Sequence, residues 1–203
     1  MLGEDLIVDK FFKNKKKGIY VDVGCYHPID GNNTYLLFRK GWSGVNIDLN
    51  KLSIDLFKRA RKNDCNLNVA ISNKSKNIKY YYRKKINMLN TINKKFAKSS
   101  FRKGFKIGSI QSQLLNTILD ESKFKNKKID FLNLDIEGNE INALESLDLR
   151  KYSPKLICIE IHNNNLGRNI KDSLKKNTIY KFLNKKGYIY IWNNDFSYIF
   201  KRK

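Results

Sequence analysis

Gly18-Ile19-Tyr20-Val21-Asp22-Val23-Gly24-Cys25-Tyr26-His27-Pro28 is the stretch on which the fold turns. A short apolar run closed by turn residues predicts a strand buried on both faces, as in the interior of a parallel sheet. Gly24 follows directly, where a residue without a side chain lets the backbone approach a ligand and the next turn offers free N–H groups. The pattern is not Gly-x-Gly-x-x-Gly, because Cys25 and Tyr26 come next, which argues against the pyrophosphate of a nicotinamide dinucleotide. Asp48 lies 24 residues beyond Gly24, the spacing of an acid that binds ribose hydroxyls. The two together point to an adenosyl ligand held without a pyrophosphate cradle.

Outward from this strand, β-rich runs recur at 44–48, 67–71, 129–135 and 155–161, separated by helical periodicity. Asn33 and Thr34 are placed to cap a helix over 35–40, and Ser53 caps the next one. Ile110, Leu114, Leu115, Ile118 and Leu119 fall on one helical stripe, as do Ile141, Leu144 and Leu147. A last helix through Ile179, Phe182 and Leu183 precedes strand-like pieces at 187–192 and 196–201, joined by Asn193-Asn194-Asp195, a tight-turn composition that makes a hairpin. The expectation is one α/β domain over 1–203, Rossmann-like, with a mostly parallel seven-stranded sheet ending in an antiparallel hairpin and helices on both faces. That layout is similar to class I methyltransferases, although a fold alone does not fix a function. Segment 73–109, rich in Lys and Tyr, interrupts the rhythm between the third and fourth strands. It reads either as a cap gripping an anionic or sugar-like acceptor or as an extra edge strand with a solvated basic face.

The chain has 203 residues and 41 basic against 19 acidic side chains, a formal charge of +22. Such a field steers anionic partners, nucleic acid first among them. The bases are 33 Lys and only 8 Arg beside 26 Asn, the joint drift of an AT-rich coding sequence, whereas phosphate and guanine recognition leans on the planar fork of Arg. The Lys runs are also spread along the chain, so a solvated basic surface is favoured over a nucleic-acid footprint. Peripheral contact with an anionic membrane is compatible with it. No apolar run reaches the roughly 18 residues of a membrane span, and acids sit where a signal peptide would carry base, so a cytoplasmic protein is expected. Cys25, Cys65 and Cys158 form no Cys-x-x-Cys pair, which suggests neither a disulfide framework nor a zinc site.

Four acids fall at the expected carboxyl ends of strands, where open α/β sheets bind their ligands: Asp22, Asp48, Asp135 and Glu160. Glu137 and Gly138 follow Asp135 at a sharp turn. His162 stands two residues beyond Glu160 and so shares its face. A His beside these carboxylates is expected to serve as a general base, held near neutrality by their charge. Asp135, Glu137 and Glu160 can alternatively hold a divalent metal that polarises an acceptor hydroxyl.

Taken in order and spacing, the blocks at 21–48, 129–145 and 155–162, with those at 3–12 and 57–72 and Leu89-Asn90-Thr91, resemble the FkbM-like S-adenosylmethionine-dependent methyltransferases over most of the chain. The resemblance implies S-adenosylmethionine as cofactor, with Asp22 and Gly24 at its methionine and ribose side and Asp48 on the ribose hydroxyls. It further implies that Cys25, which stands where the family usually has Ala, lines the same cleft with His27, Asn33 and Thr34. Asp135, Glu137 and Gly138 match the family's acidic motif. Similar proteins methylate hydroxyl groups, often of sugars in polysaccharides or glycolipids, which implies an O-methyltransferase acting on a small-molecule or glycan acceptor. Asp135, Glu137, Glu160 and His162 are then the candidate catalytic group, and Asp135 also touches the cofactor.

Two other readings compete. A nucleic-acid methyltransferase would use the +22 charge, but amino-group methylation of bases commonly needs a Pro-Pro-aromatic element after the fourth strand, and Asp135-Ile136-Glu137-Gly138 stands there without proline. A non-catalytic adenosyl-binding module would keep Asp22, Gly24 and Asp48 and leave the acidic cluster to cap helices.

Overall fold

The computed structural model describes residues 3–84, 86–162 and 174–203. In chain order it begins with α1 (Glu4–Phe11), β1 (Ile19–Val23), α2 (Tyr35–Arg39), β2 (Ser43–Asp48), α3 (Lys51–Ala60) and β3 (Cys65–Asn68). The middle of the chain gives β4 (Ala70–Ile71), β5 (Lys76–Tyr82), α4 (Lys94–Ser100), β6 (Lys106–Gln113) and α5 (Leu115–Glu121). Then follow β7 (Phe131–Leu134), α6 (Glu140–Glu145), β8 (Leu156–Glu160), α7 (Thr178–Lys185), β9 (Tyr188–Asn193) and β10 (Ser197–Arg202).

Seven strands form one sheet in the order β3-β2-β1-β7-β8-β10-β9. The first five are parallel, and β10 runs antiparallel to both β8 and β9. This is the Rossmann-like α/β architecture that the apolar runs predict. The hairpin closes on Asn194, whose Oδ1 accepts from the N–H groups of Phe196 and Ser197.

Successive side chains alternate faces, and both faces are covered. On one side Val21, Val23, Leu132, Leu134, Ile157 and Ile159 pack against α5, α6 and α7 through residues such as Leu119, Leu144 and Leu183. On the other, Tyr20, Phe131, Leu156 and Cys158 pack with Val8 of α1 and Leu37 of α2. Toward the carboxyl ends this second face turns polar: Asn66, Asn46, Asp22 and Asn133 lie in register across four strands. Asn46 Nδ2 donates to Asn66 Oδ1 at 2.8 Å and Asn133 Nδ2 to Asp22 Oδ1 at 2.9 Å. Among the described residues no helix is long and apolar enough to cross a membrane.

Three local expectations are corrected. The run at 67–71 splits, since Leu67 belongs to the main sheet whereas Ala70 and Ile71 pair with β6 in a separate three-stranded sheet of order β4-β6-β5. Ile110 sits in β6 opposite Ile78 of β5, not on a helix, and the helix starts only at Leu115. Helix α3 is capped by Asn50, whose side chain accepts from Leu52 N, while Ser53 lies inside it. Segment 73–109 thus supplies most of the small sheet together with α4, and Ala97 of α4 and Phe101, the residue that follows it, pack on Tyr81.

Candidate active site

The carboxyl end of β1 comes against that of β7. Gly24 has φ +81°, and a Cβ placed on it would lie 1.7 Å from the carbonyl oxygen of Asp135. Only glycine allows both the backbone angle and the approach. Gly24→Ala is therefore expected to destabilise the fold by about 3 kcal/mol or more, lowering Tm by roughly 10 °C, measured by calorimetry. An unchanged Tm would show that the two strand ends do not meet this closely.

Two cavities adjoin at this contact, and Gly24, Asp135, Asn87 and Met88 line both. The first is walled by Ile47, Leu49, Val69, Ala70, Ile71 and Ile136, with Asp48 at its edge. Aliphatic walls for a base, with Asp48 and Asp135 beside Asn87, Asn90 and Asn139 for ribose hydroxyls, suit an adenosyl group, so the residues present fit such a cofactor. Asp48 Oδ2 accepts from Tyr26 N at 2.8 Å and Oδ1 from Asn50 N at 2.7 Å. A carboxylate has about four lone-pair sites, so each oxygen keeps capacity for a hydroxyl. Desolvation pushes Asp48 up to about 6, against the lowering by those two N–H groups.

The second cavity is lined by Asp22, Cys25, Asn33, Glu137, Glu160 and His162 among others, including Phe96 from α4 and Glu4 from α1. Its acidic loop is held from both sides. Glu140 accepts from the N–H groups of Ile136 and Gly138 at 3.1 Å. From the small-sheet side, Thr91 Oγ1 donates to Glu137 O at 2.8 Å and Asn93 Nδ2 to Gly138 O at 2.9 Å. Glu137 takes φ +56°, an uncommon conformation for a non-glycine residue that persists where surroundings impose it. Its carboxylate meets His162, with Nε2 3.2 Å from Glu137 Oε2 and 3.1 Å from Glu160 Oε2. The His162 ring also lies against Phe96, centroids 4.9 Å apart.

The electrostatics follow from crowded acid and burial. Burial first, then Glu160 and Glu137, pushes Asp135 well above the usual carboxylate range. Burial likewise raises Glu137, partly offset by His162. The two carboxylates push His162 up to about 10, so the expectation that they hold it near neutrality is corrected: unliganded, it is an imidazolium at neutral pH.

The remaining sequence candidates separate into cleft and scaffold. Asp22 is fully buried and accepts from Asn32, Thr34 and Asn133 at 2.8–2.9 Å. Thr34 is fully buried beneath it and accepts from Arg61, which also donates to Pro28 O and Asn32. Thr34 therefore braces the first loop and lines neither cavity. His27 lines neither as well, since its Nδ1 accepts from the N–H groups of Ile29 and Asp30 in a local turn. Cys25 borders the second cavity with its thiol buried and raised well above the usual range. Within the set expected to hold a metal, His162 replaces Asp135 as the third group converging with Glu137 and Glu160. Sequence reading missed Asn133, Phe96 and Met88. Asn133 alone carried a signal, since it sits two residues before Asp135 on the same strand face.

Among curated proteins none matches the chain. The family model described as the methyltransferase FkbM domain matches residues 22–190, a span holding both cavities' strand ends and the acidic loop. The chain belongs to the FkbM methyltransferase domain family.

Proposed function

We propose that this methyltransferase moves the methyl group of S-adenosylmethionine to a hydroxyl oxygen, in a sugar of a polysaccharide or glycolipid. The observation that carries the reading is the seam: a cavity with aliphatic walls and Asp48, and a second cavity lined by Glu137, Glu160 and His162, meet at Gly24 and Asp135. S-adenosylmethionine supplies an electrophilic methyl on a sulfonium. The chain aligns an acceptor oxygen with that methyl across the seam, so that the carbon–oxygen bond forms as the carbon–sulfur bond breaks. The hydroxyl proton leaves to a carboxylate of the Asp135, Glu137 and Glu160 cluster, in which the His162 imidazolium holds Glu137 and Glu160 together. Those acids repel a phosphate backbone and the loop carries no proline clamp for a planar base, which favours a neutral hydroxylated acceptor over RNA.

The test supplies methyl-labelled cofactor with mixed glycans, lipid-linked saccharides and RNA. Label is expected in a base-stable ether of the saccharide fraction. Label confined to RNA, bound steeply and salt-dependently, would overturn the reading. Cofactor binding without transfer to any fraction would leave a binding module.

A further inference from the structure

The second cavity gathers more negative charge than removal of one proton requires. Glu137, Glu160 and His162 each offer one ligand atom, all within 4.8 Å of one another. Glu137 Oε2 and Glu160 Oε2 are buried, and neither takes a hydrogen bond from another described group. Glu137 is only 5% exposed, so its Oε2, which faces His162 at 3.2 Å without an aligned hydrogen bond, is a buried acceptor with capacity to spare. The imidazole Nε2 stands 3.2 and 3.1 Å from the two oxygens without aligning its single N–H on either. These are the separations of adjacent ligands around one ion, because ligands at roughly 2.0–2.2 Å and right angles lie about 3 Å apart.

We propose that Glu137, Glu160 and His162 bind a divalent cation on the acceptor side of the seam. Two carboxylates and one imidazole, with no thiolate, suit an oxygen-favouring ion such as Mn2+ that tolerates nitrogen. Three protein ligands leave coordination positions open, and the acceptor's hydroxyl oxygens take them, which orients the reacting hydroxyl toward Asp135 and Gly24. This last step rests on the O-methyl transfer reading; cation binding does not. The surroundings are built to hold the ligands still, as metal sites require: Glu140, Thr91 and Asn93 fix the loop that carries Glu137, and Phe96 lies against the His162 ring.

The experiment titrates Mn2+ into chelator-stripped full-length protein without cofactor or acceptor, followed by electron paramagnetic resonance and calorimetry. One saturable site per chain is expected. It should weaken by about tenfold or more in Glu137→Gln and in Glu160→Gln and stay unchanged in Asp55→Asn, whose carboxylate pairs with Lys51 on the surface. Should either Gln variant fail to fold, pulsed resonance on the wild type reads the same question, since one directly bound imidazole nitrogen is expected. No saturable site, equal affinity in both Gln variants, or bound Mn2+ without a nitrogen ligand would overturn the proposal. Mn2+ bound as expected while no hydroxyl acceptor is methylated upholds the cation site and sinks the transfer reading. Methyl transfer that survives chelation in a protein with no Mn2+ site does the reverse.

Discussion

Asp48→Ala is expected to weaken S-adenosylhomocysteine binding by about 10²–10⁴-fold in a calorimetric titration. Asp48 is the carboxylate at the edge of the first cavity. A hydrogen bond to a charged group contributes roughly 1.5–3 kcal/mol, and each 1.4 kcal/mol is about tenfold in affinity, so losing two ribose contacts gives that range. Tyr26 N and Asn50 N also rest on this carboxylate. Asp48→Asn keeps the shape and one acceptor, and its loss should be smaller. The pH dependence has a definite sign. Desolvation raises Asp48 to about 6, with Asp22 as the charged neighbour adding to the rise, so the ionised acceptor is depleted as pH falls through 6. Affinity should therefore drop below pH 6, by at most about tenfold per unit, and Asp48→Asn should lose that dependence. Unchanged binding in Asp48→Ala would mean that the adenosyl group lies elsewhere and that the sheet's ligand end has been misread.

The second large effect is on turnover. Glu137→Gln and His162→Ala should each lower kcat by about 10²–10⁴-fold, the usual contribution of acid–base machinery, the first by removing a carboxylate and the second by removing the imidazolium that holds Glu137 and Glu160 together. Both residues line the second cavity alone, so cofactor affinity should stay near wild type. Asp135→Asn touches both cavities and should lower turnover and cofactor affinity together. This difference separates a catalytic cluster from a merely structural one, because loop collapse in Glu137→Gln would damage both measurements alike. Wild-type turnover in Glu137→Gln and His162→Ala would remove the cluster from the chemistry.

The readable part of this chain was the part whose burial is two-sided. Strands β1, β2, β7 and β8 are core strands whose apolar runs have no other stable placement, and their acids mark the ligand end directly. Ile110 misled because its spacing to Leu114 satisfies a helical period, while the pairing of β5 with β6 along seven residues is a long-range contact that no local window contains. The run at 67–71 broke for a similar reason: β3 closes the edge of the main sheet, and Ala70 and Ile71 pair instead with Ser112 and Gln113, about 40 residues away at the end of β6. Asn50 outcompeted Ser53 as a cap by standing one residue before the first helical turn, with its oxygen on Leu52 N. Asp48, Asp135, Glu137, Glu160 and His162 could be placed at one end of the sheet from sequence because each stands at, or within a few residues beyond, the carboxyl end of a strand. His27 and Thr34 were not separable from them by sequence, since an Asx-rich loop uses the same polar residues to brace itself as to meet a ligand.

The row of amides beside Asp22 has a consequence for how the chain finds its pairing. A parallel sheet of aliphatic strands tolerates sliding, because Val against Leu is nearly as favourable one step along. A one-residue slip of β1 would carry Asp22 to the opposite, apolar face and strip it of Asn32, Thr34 and Asn133. Removing the partners of a buried charge costs about 3–5 kcal/mol, enough to make the misaligned sheet a poor competitor. The polar row is thus a key that admits a single alignment during folding, and the same alignment brings Gly24 to Asp135 and the two cavities to a common edge.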